Sequence, residues 1–142
     1  MTQVDFHHDA PDKLRHACTL VAQWHRDGRP VWIHCPDDGL AARIDQMLWT
    51  FDPQSFIAHA RDGHPLAAAS PVRIGSDVSA APAEALLLNL SPQVPDDFTQ
   101  RAHIVEIVSQ DPADRDAARA RFMQYRQNGC DMHTQHATTE NA

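Results

Sequence analysis

The sequence predicts a single α/β domain, and three stretches carry that prediction. VWIHC (residues 31–35), EALLLNL (84–90) and HIVEIV (103–108) are short, almost continuous β-prone runs, the form of strands covered on both faces. Segments with apolar residues at helical spacing lie before, between and after them. Strand and helix therefore alternate, which argues for a mostly parallel sheet with helices on both faces. With 142 residues and 42% hydrophobic content, the chain is long enough to bury one core.

The first strand is expected over Thr2 to His7, where Val4 and Phe6 alternate with polar neighbours. From Pro11 to Asp27, Leu14, Cys18, Val21 and Ala22 follow helical spacing, Arg26 sits in the last turn and Gly28 supplies a stop. With the strand at Val31 to Cys35, this makes a βαβ unit. Asp37 or Asp38 can cap the next helix, whose inner stripe is Leu40, Ile44, Met47 and Leu48. Trp49 falls off that stripe, and Trp49, Phe51 and Phe56 gather around Pro53. Such a cluster either closes the edge of a core or faces a partner.

Further strands are expected at Phe56 to His59 and Val72 to Gly75, with a mobile surface loop over residues 76–83 and one helical turn near Asp96 to Gln100. Ile104 and Ile107 cannot share a strand face, so the HIVEIV strand needs cover on both sides. The polar end HTQHATTENA (133–142) reads as a flexible tail after a domain of residues 1–132.

The best-marked helix runs from Asp111 to Gly129. Asp111 can cap its first turn, Pro112 fits the first position, Asp114 suits the positive dipole end and Gly129 supplies a left-handed stop. At about 100° per residue, Arg115, Arg119 and Arg126 share a stripe with Phe122 at its edge. Ala118, Phe122 and Tyr125 form the adjoining apolar face. This is the chain's only concentrated basic surface. It is either a solvated face over core aromatics or a cradle for a short acidic peptide.

A net charge of −7 argues against a protein whose main task is gripping nucleic-acid phosphates. Cys18, Cys35 and Cys130 are odd in number and widely spaced, so neither a disulfide framework nor a zinc motif is indicated, and a reducing cytoplasm is expected. No leader pattern and no long apolar run occurs, so a membrane span is not expected. The five glycines are scattered, leaving no phosphate-binding loop and no cofactor to expect. His7-His8 and His133 with His136 lack the spacing of a built metal site. Cys35 and His34 are neighbours on a strand and point to opposite faces, so they form no catalytic pair. No other catalytic constellation is recognisable.

Two stretches read together bring in a family: RIDQMLWTFDPQSFIAH (43–59) and ARARFMQYRQNGCDMHT (118–134). With WHRDGRPVWIHC, EALLLNL and HIVEIV in the same order, the chain resembles the chi subunit of bacterial DNA polymerase III holoenzyme, a clamp-loader accessory subunit, over essentially its whole length. The resemblance implies a Rossmann-like three-layer fold without nucleotide activity. It implies a non-catalytic adaptor with two partners, the psi subunit and the acidic, Pro-Phe-ending C-terminal tail of single-stranded DNA-binding protein, and contact with DNA only through them. The tail site carries over to Arg115, Arg119, Phe122 and Met123, with Arg126 and Arg121 nearby, and the psi surface to Leu48, Trp49, Pro53 and Phe56. Met123 departs from the family pattern, in which lysine is common there. Two other classes remain open at this stage: an enzyme derived from a nucleotide-binding fold, and a module that binds nucleic acid directly.

Overall fold

Every strand in the sheet runs the same way. In the computed structural model, which describes residues 1–50, 57–65, 67 and 70–137, the strands are β1 Gln3–Ala10, β2 Val31–His34, β3 His59–Arg61, β4 Val72–Gly75, β5 Leu86–Asn89, β6 His103–Ser109 and β7 Asp131–His136. Their order is β3-β4-β2-β5-β6-β1-β7, all parallel. The helices are α1 Lys13–Arg26, α2 Asp38–Thr50 and α3 Pro112–Gln127. Together they make a three-layer, Rossmann-like α/β fold.

Side-chain alternation decides the layers. Val31 and Ile33 of β2, Leu86 and Leu88 of β5, and Val105 and Ile107 of β6 pack with Cys18, Val21, Ile44 and Leu48 of α1 and α2. Trp32, Leu87, Ile104 and Val108 point the other way, to a core shared with Ala118 and Tyr125 of α3. Ile104 and Ile107 thus lie in different cores, as the strand pattern requires. β1 leads to α1 on one face and β6, its neighbour, leads to α3 on the other. Adjacent strands whose continuations part in this way leave a crevice beyond their carboxyl ends.

Several expectations need correction. The stretch 76–83 is anchored rather than mobile: Val78 and Ala81 are buried around a 3-10 turn at Val78–Ala80, and the Arg101 guanidinium donates to the carbonyls of Val78 and Pro82 at 2.7 and 2.8 Å. Residues 133–136 are not tail: they belong to β7, which pairs with β1 and leaves its outer edge exposed. The tail expected over 138–142, and Phe51, Pro53 and Phe56, lie outside the described residues. β3 begins at His59, later than expected. Asp111 makes no side-chain cap; Asp114 holds the start of α3 instead, accepting from the Ser109 backbone N–H at 2.8 Å and from Lys13 Nζ at 3.0 Å. Burial works against the Asp114 carboxylate, yet these donors hold its pKa below the usual value. Gly28 and Gly129 do adopt the left-handed stop, with φ of 73° and 78°.

Candidate functional site

α3 lies against β6 and β7 with its apolar stripe turned inward. Ala118 and Tyr125 are buried, while Phe122 is half-buried and meets Phe6 of β1 edge-on, with ring centroids 5.3 Å apart. Beside this contact opens a groove of about 280 Å³. Its floor is apolar, formed by Phe6, Val108, Ala118 and Phe122. Arg115 and Arg119 stand on one wall, and His8, Asp9 and Thr134 on the other. The groove sits at the carboxyl ends of β1, β6 and β7, where the β1/β6 divergence leaves room.

The two arginines are accessible. Arg119 donates to Asp116 at 3.0 Å, but both side chains are about three-quarters exposed, so the pair is weak and exchangeable. Asp9 on the opposite wall has φ of 62°, the one positive φ at a non-glycine among the described residues. Its carboxylate lies 3.4 Å from His8 Nδ1 and 3.3 Å from His136 Nε2.

Three of the five residues expected for a tail site therefore converge: Arg115, Arg119 and Phe122. Met123 and Arg126 are exposed and do not line the groove. Arg126 is seven residues from Arg119, about 10 Å along the axis, and Met123 is turned by about 100° from Phe122.

Arg121 is not a reserve cation on this surface. It is buried, and its Nε donates to Glu106 Oε1 at 3.0 Å beneath the helix. Glu106 Oε2 accepts from the Tyr125 hydroxyl at 2.6 Å and Asn89 Nδ2 at 2.7 Å, and Arg121 Nη1 reaches the Pro92 carbonyl. Burial pushes the Glu106 carboxyl upward, opposed by Arg121, Tyr125 and Asn89, and burial together with Glu106 raises the Tyr125 phenol. This network pins α3 to β5 and β6, which fixes where Arg115 and Arg119 stand.

A second surface lies at the β3 edge. Trp49 is half-exposed, with its ring centroid 4.5 Å from that of His59, beside a hollow of about 480 Å³ bordered by Asp45, Ala58, Ala60 and Arg61. His59 Nε2 is 2.9 Å from the Asp45 carboxylate, which steadies the ring under Trp49. Leu48 is not part of this surface. The inward stripe of α2 carries it into the core.

Cys35 and His34 form no pair, in keeping with their strand positions. Cys35 is buried in the α1/α2 core, donates to the Asp37 carbonyl, and has its thiol pKa pushed up by burial.

The sequence of residues 1–133 matches the family described as DNA polymerase III chi subunit, HolC. The chain belongs to the DNA polymerase III chi family. It is 33% identical over 133 residues to the DNA polymerase III subunit chi of Pseudomonas aeruginosa, covering 91% of this chain and 92% of the relative. The subunits from Haemophilus influenzae and Escherichia coli are 32% and 28% identical, over 84% and 82% of this chain and 83% and 80% of their own lengths. Its setting is thus DNA replication, as an accessory subunit of a polymerase complex, and no described helix is long and apolar enough to cross a membrane.

For this chi-family chain, sequence reasoning missed the far wall of the groove and the buried network. The network did leave a trace: a glutamate inside the buried run HIVEIV requires a cationic or hydrogen-bonding partner. Arg121, a charged residue off the basic stripe, was the candidate.

Proposed function

We propose that the chain is a non-catalytic adaptor that links the clamp-loader complex, through the psi subunit, to the acidic C-terminal tail of single-stranded DNA-binding protein in the bacterial cytoplasm. The observation that supports the tail contact best is the convergence of Arg115, Arg119 and an apolar floor at Phe122 on one groove. Arg115 and Arg119 make charge-assisted hydrogen bonds to the tail's aspartates and terminal carboxylate. The floor takes the terminal phenylalanine ring. Exposed ion pairs contribute roughly 0.2–1 kcal/mol each and a buried phenylalanine roughly 1.5–3 kcal/mol, which suits a micromolar, salt-sensitive contact. Several tails on one coating protein then raise the avidity. The half-exposed Trp49 and the hollow beside it are the surface we assign to psi.

The test is fluorescence anisotropy of a labelled acidic peptide ending in Pro-Phe, titrated with wild type, Arg119→Ala and Trp49→Ala. Saturable micromolar binding, weakened about tenfold by Arg119→Ala (about 1.4 kcal/mol) and unchanged by Trp49→Ala, is the expected result. Folded wild type that does not bind, or that binds equally without Arg119, would refute the tail assignment. Capture of purified psi, expected to fail with Trp49→Ala and to survive Arg119→Ala, tests the other surface.

A further inference from the structure

β7 closes the sheet on one side, and among the described residues no strand pairs with its outer edge. Its partner fixes the phase of that edge. Asp131 N–H donates to the Thr2 carbonyl and Ala137 N–H to the His8 carbonyl, and the register from Gln3↔Asp131 to His8↔His136 runs without a shift. In a parallel pair every second residue directs both its N–H and its C=O to the neighbouring strand. Asp131, His133 and Gln135 therefore bond to β1, and Met132, Thr134 and His136 point their backbone groups outward. Natural edge strands are blunted by lysine, proline, a bulge or shortness. β7 keeps six residues without lysine, proline or a break in register, whereas β3 at the other edge has three. The outward residues also carry their side chains to the α3 face: Thr134 is level with Phe6 and lines the groove, and Met132 packs against the α3 core. One rim of the groove is thus an open row of hydrogen-bonding groups.

We propose that an acidic peptide whose carboxyl end sits in the groove adds its upstream residues to the sheet as a short eighth strand, parallel to β7. This rests on the tail reading above and extends it from the last residues of the peptide to those before them. Direction follows from position. The groove lies at the carboxyl ends of the strands, so a peptide that ends there and follows the edge runs in the same direction as β7. Proline has no N–H to donate, so pairing stops before a Pro-Phe end, and these two residues cross Thr134 to reach the apolar floor. Charge complementarity continues down the edge. β6 and β7 are both parallel to β1, so α3, which joins them, runs back over the sheet toward its amino ends. Arg126 lies on the stripe of Arg115 and Arg119, about 10 Å along the axis from Arg119. That is about three residues of extended chain at roughly 3.3 Å each. An acidic side chain three or four residues upstream of the one at Arg119 then meets Arg126, which is exposed and stands outside the groove. Backbone pairing holds the peptide whatever its side chains, while the groove and the arginine stripe select an acidic one.

The experiment titrates the full chain with an eight-residue acidic peptide ending in Pro-Phe, carrying a single backbone N-methyl group at each position upstream of the proline in turn. Strand pairing predicts a period of two: every second N-methyl group weakens binding at least fivefold, and those between stay within twofold. Thr134→Pro removes an outward N–H and leaves the bonds to β1 in place, so it should bind at least fivefold more weakly than Thr134→Val. Arg126→Ala should weaken the eight-residue peptide at least twofold more than it weakens the last three residues alone. In unsubstituted protein, hydrogen exchange at the Met132, Thr134 and His136 amides should slow on adding the peptide, while those of Asp131, His133 and Gln135 are slow throughout. That reading stands even if a variant fails to fold. Binding that Arg119→Ala weakens, without the alternation and without slowed exchange at the three amides, would overturn the eighth strand and leave the tail contact intact. No binding by folded wild type would remove both. A concentration-dependent dimer of the chain alone that Thr134→Pro dissolves would give the edge to a second copy and overturn the proposal.

Discussion

Arg121→Met tests whether the network beneath α3 holds the helix by charge. Glu106 is fully buried, and among the described residues its only cationic hydrogen-bond partner is Arg121, at 3.0 Å; Tyr125 and Asn89 are neutral donors. Methionine keeps most of the volume of the arginine stem, so packing loss is small. What remains is a carboxylate with hydrogen bonds but no countercharge, and breaking a buried pair from one side costs about 3–5 kcal/mol. Against a total stability of about 5–15 kcal/mol, that is a large fraction. The second change, Glu106→Gln, removes the unbalanced charge while leaving an amide oxygen for Tyr125 or Asn89. Arg121→Met/Glu106→Gln should therefore be more stable than Arg121→Met alone, by at least about 1.5 kcal/mol. Urea unfolding monitored by tryptophan fluorescence and circular dichroism measures all three variants. A cost below about 1 kcal/mol for Arg121→Met would refute the reasoning, as would a double variant that is simply the sum of the two singles.

Three further outcomes are expected. Gly75→Ala should destabilise by about 1–3 kcal/mol and alter the near-ultraviolet signal of Trp32, because an added Cβ would stand 2.4 and 2.5 Å from two carbons of that ring; a cost within about 0.5 kcal/mol would show that the strand shifts freely. Asp114→Asn should cost about 1–2 kcal/mol by weakening the ties from Ser109 and Lys13 to the first turn of α3, and equal urea midpoints would rule this out. Burial pulls the His34 pKa below its ordinary 6.5, so under that pH the unfolded chain takes up a proton that the folded chain resists. Stability should fall as pH drops from about 7 to about 5.5, and His34→Asn should flatten that slope; an unchanged slope would place the titration elsewhere.

The elements that were legible in sequence are those whose signal is local. β2, β4, β5 and β6 are apolar runs, and α1, α2 and α3 carry their own periodicity and stops. β7 was missed because DMHTQH is a solvent-facing edge strand with no apolar alternation, held by pairing with a strand more than 120 residues earlier. The loop at 76–83 was misread for a similar reason: small residues hide the anchoring of Val78 and Ala81, which depends on Arg101 in a later segment. At the candidate groove, helical geometry alone brought Arg115, Arg119 and Phe122 together. The opposite wall of His8, Asp9 and Thr134 belongs to strands that only the sheet order makes neighbours. Arg121 shows the limit of reading charge as exposure. Its angle on the helix was known, but not that an acid waited on β6 beneath it.

The sheet order bears on how an adaptor of this kind could serve two partners. The Trp49 hollow borders β3, the first strand of the sheet, while the arginine groove borders β6, β1 and β7, the last three. With neighbouring strands about 4.8 Å apart, four to six spacings separate the two surfaces by roughly 19–29 Å. No groove residue borders the hollow. Screened charge acts over about 8–10 Å at ordinary salt, so a ligand's charge at one edge is not felt at the other. Between them lie β4, β2 and β5, paired in parallel register, with β2 and β5 contributing side chains to both cores. Such a packed sheet offers no second arrangement through which one site could bias the other. In the adaptor reading, the two contacts are therefore made side by side, each with its own affinity, and tethering rather than allostery joins the partners.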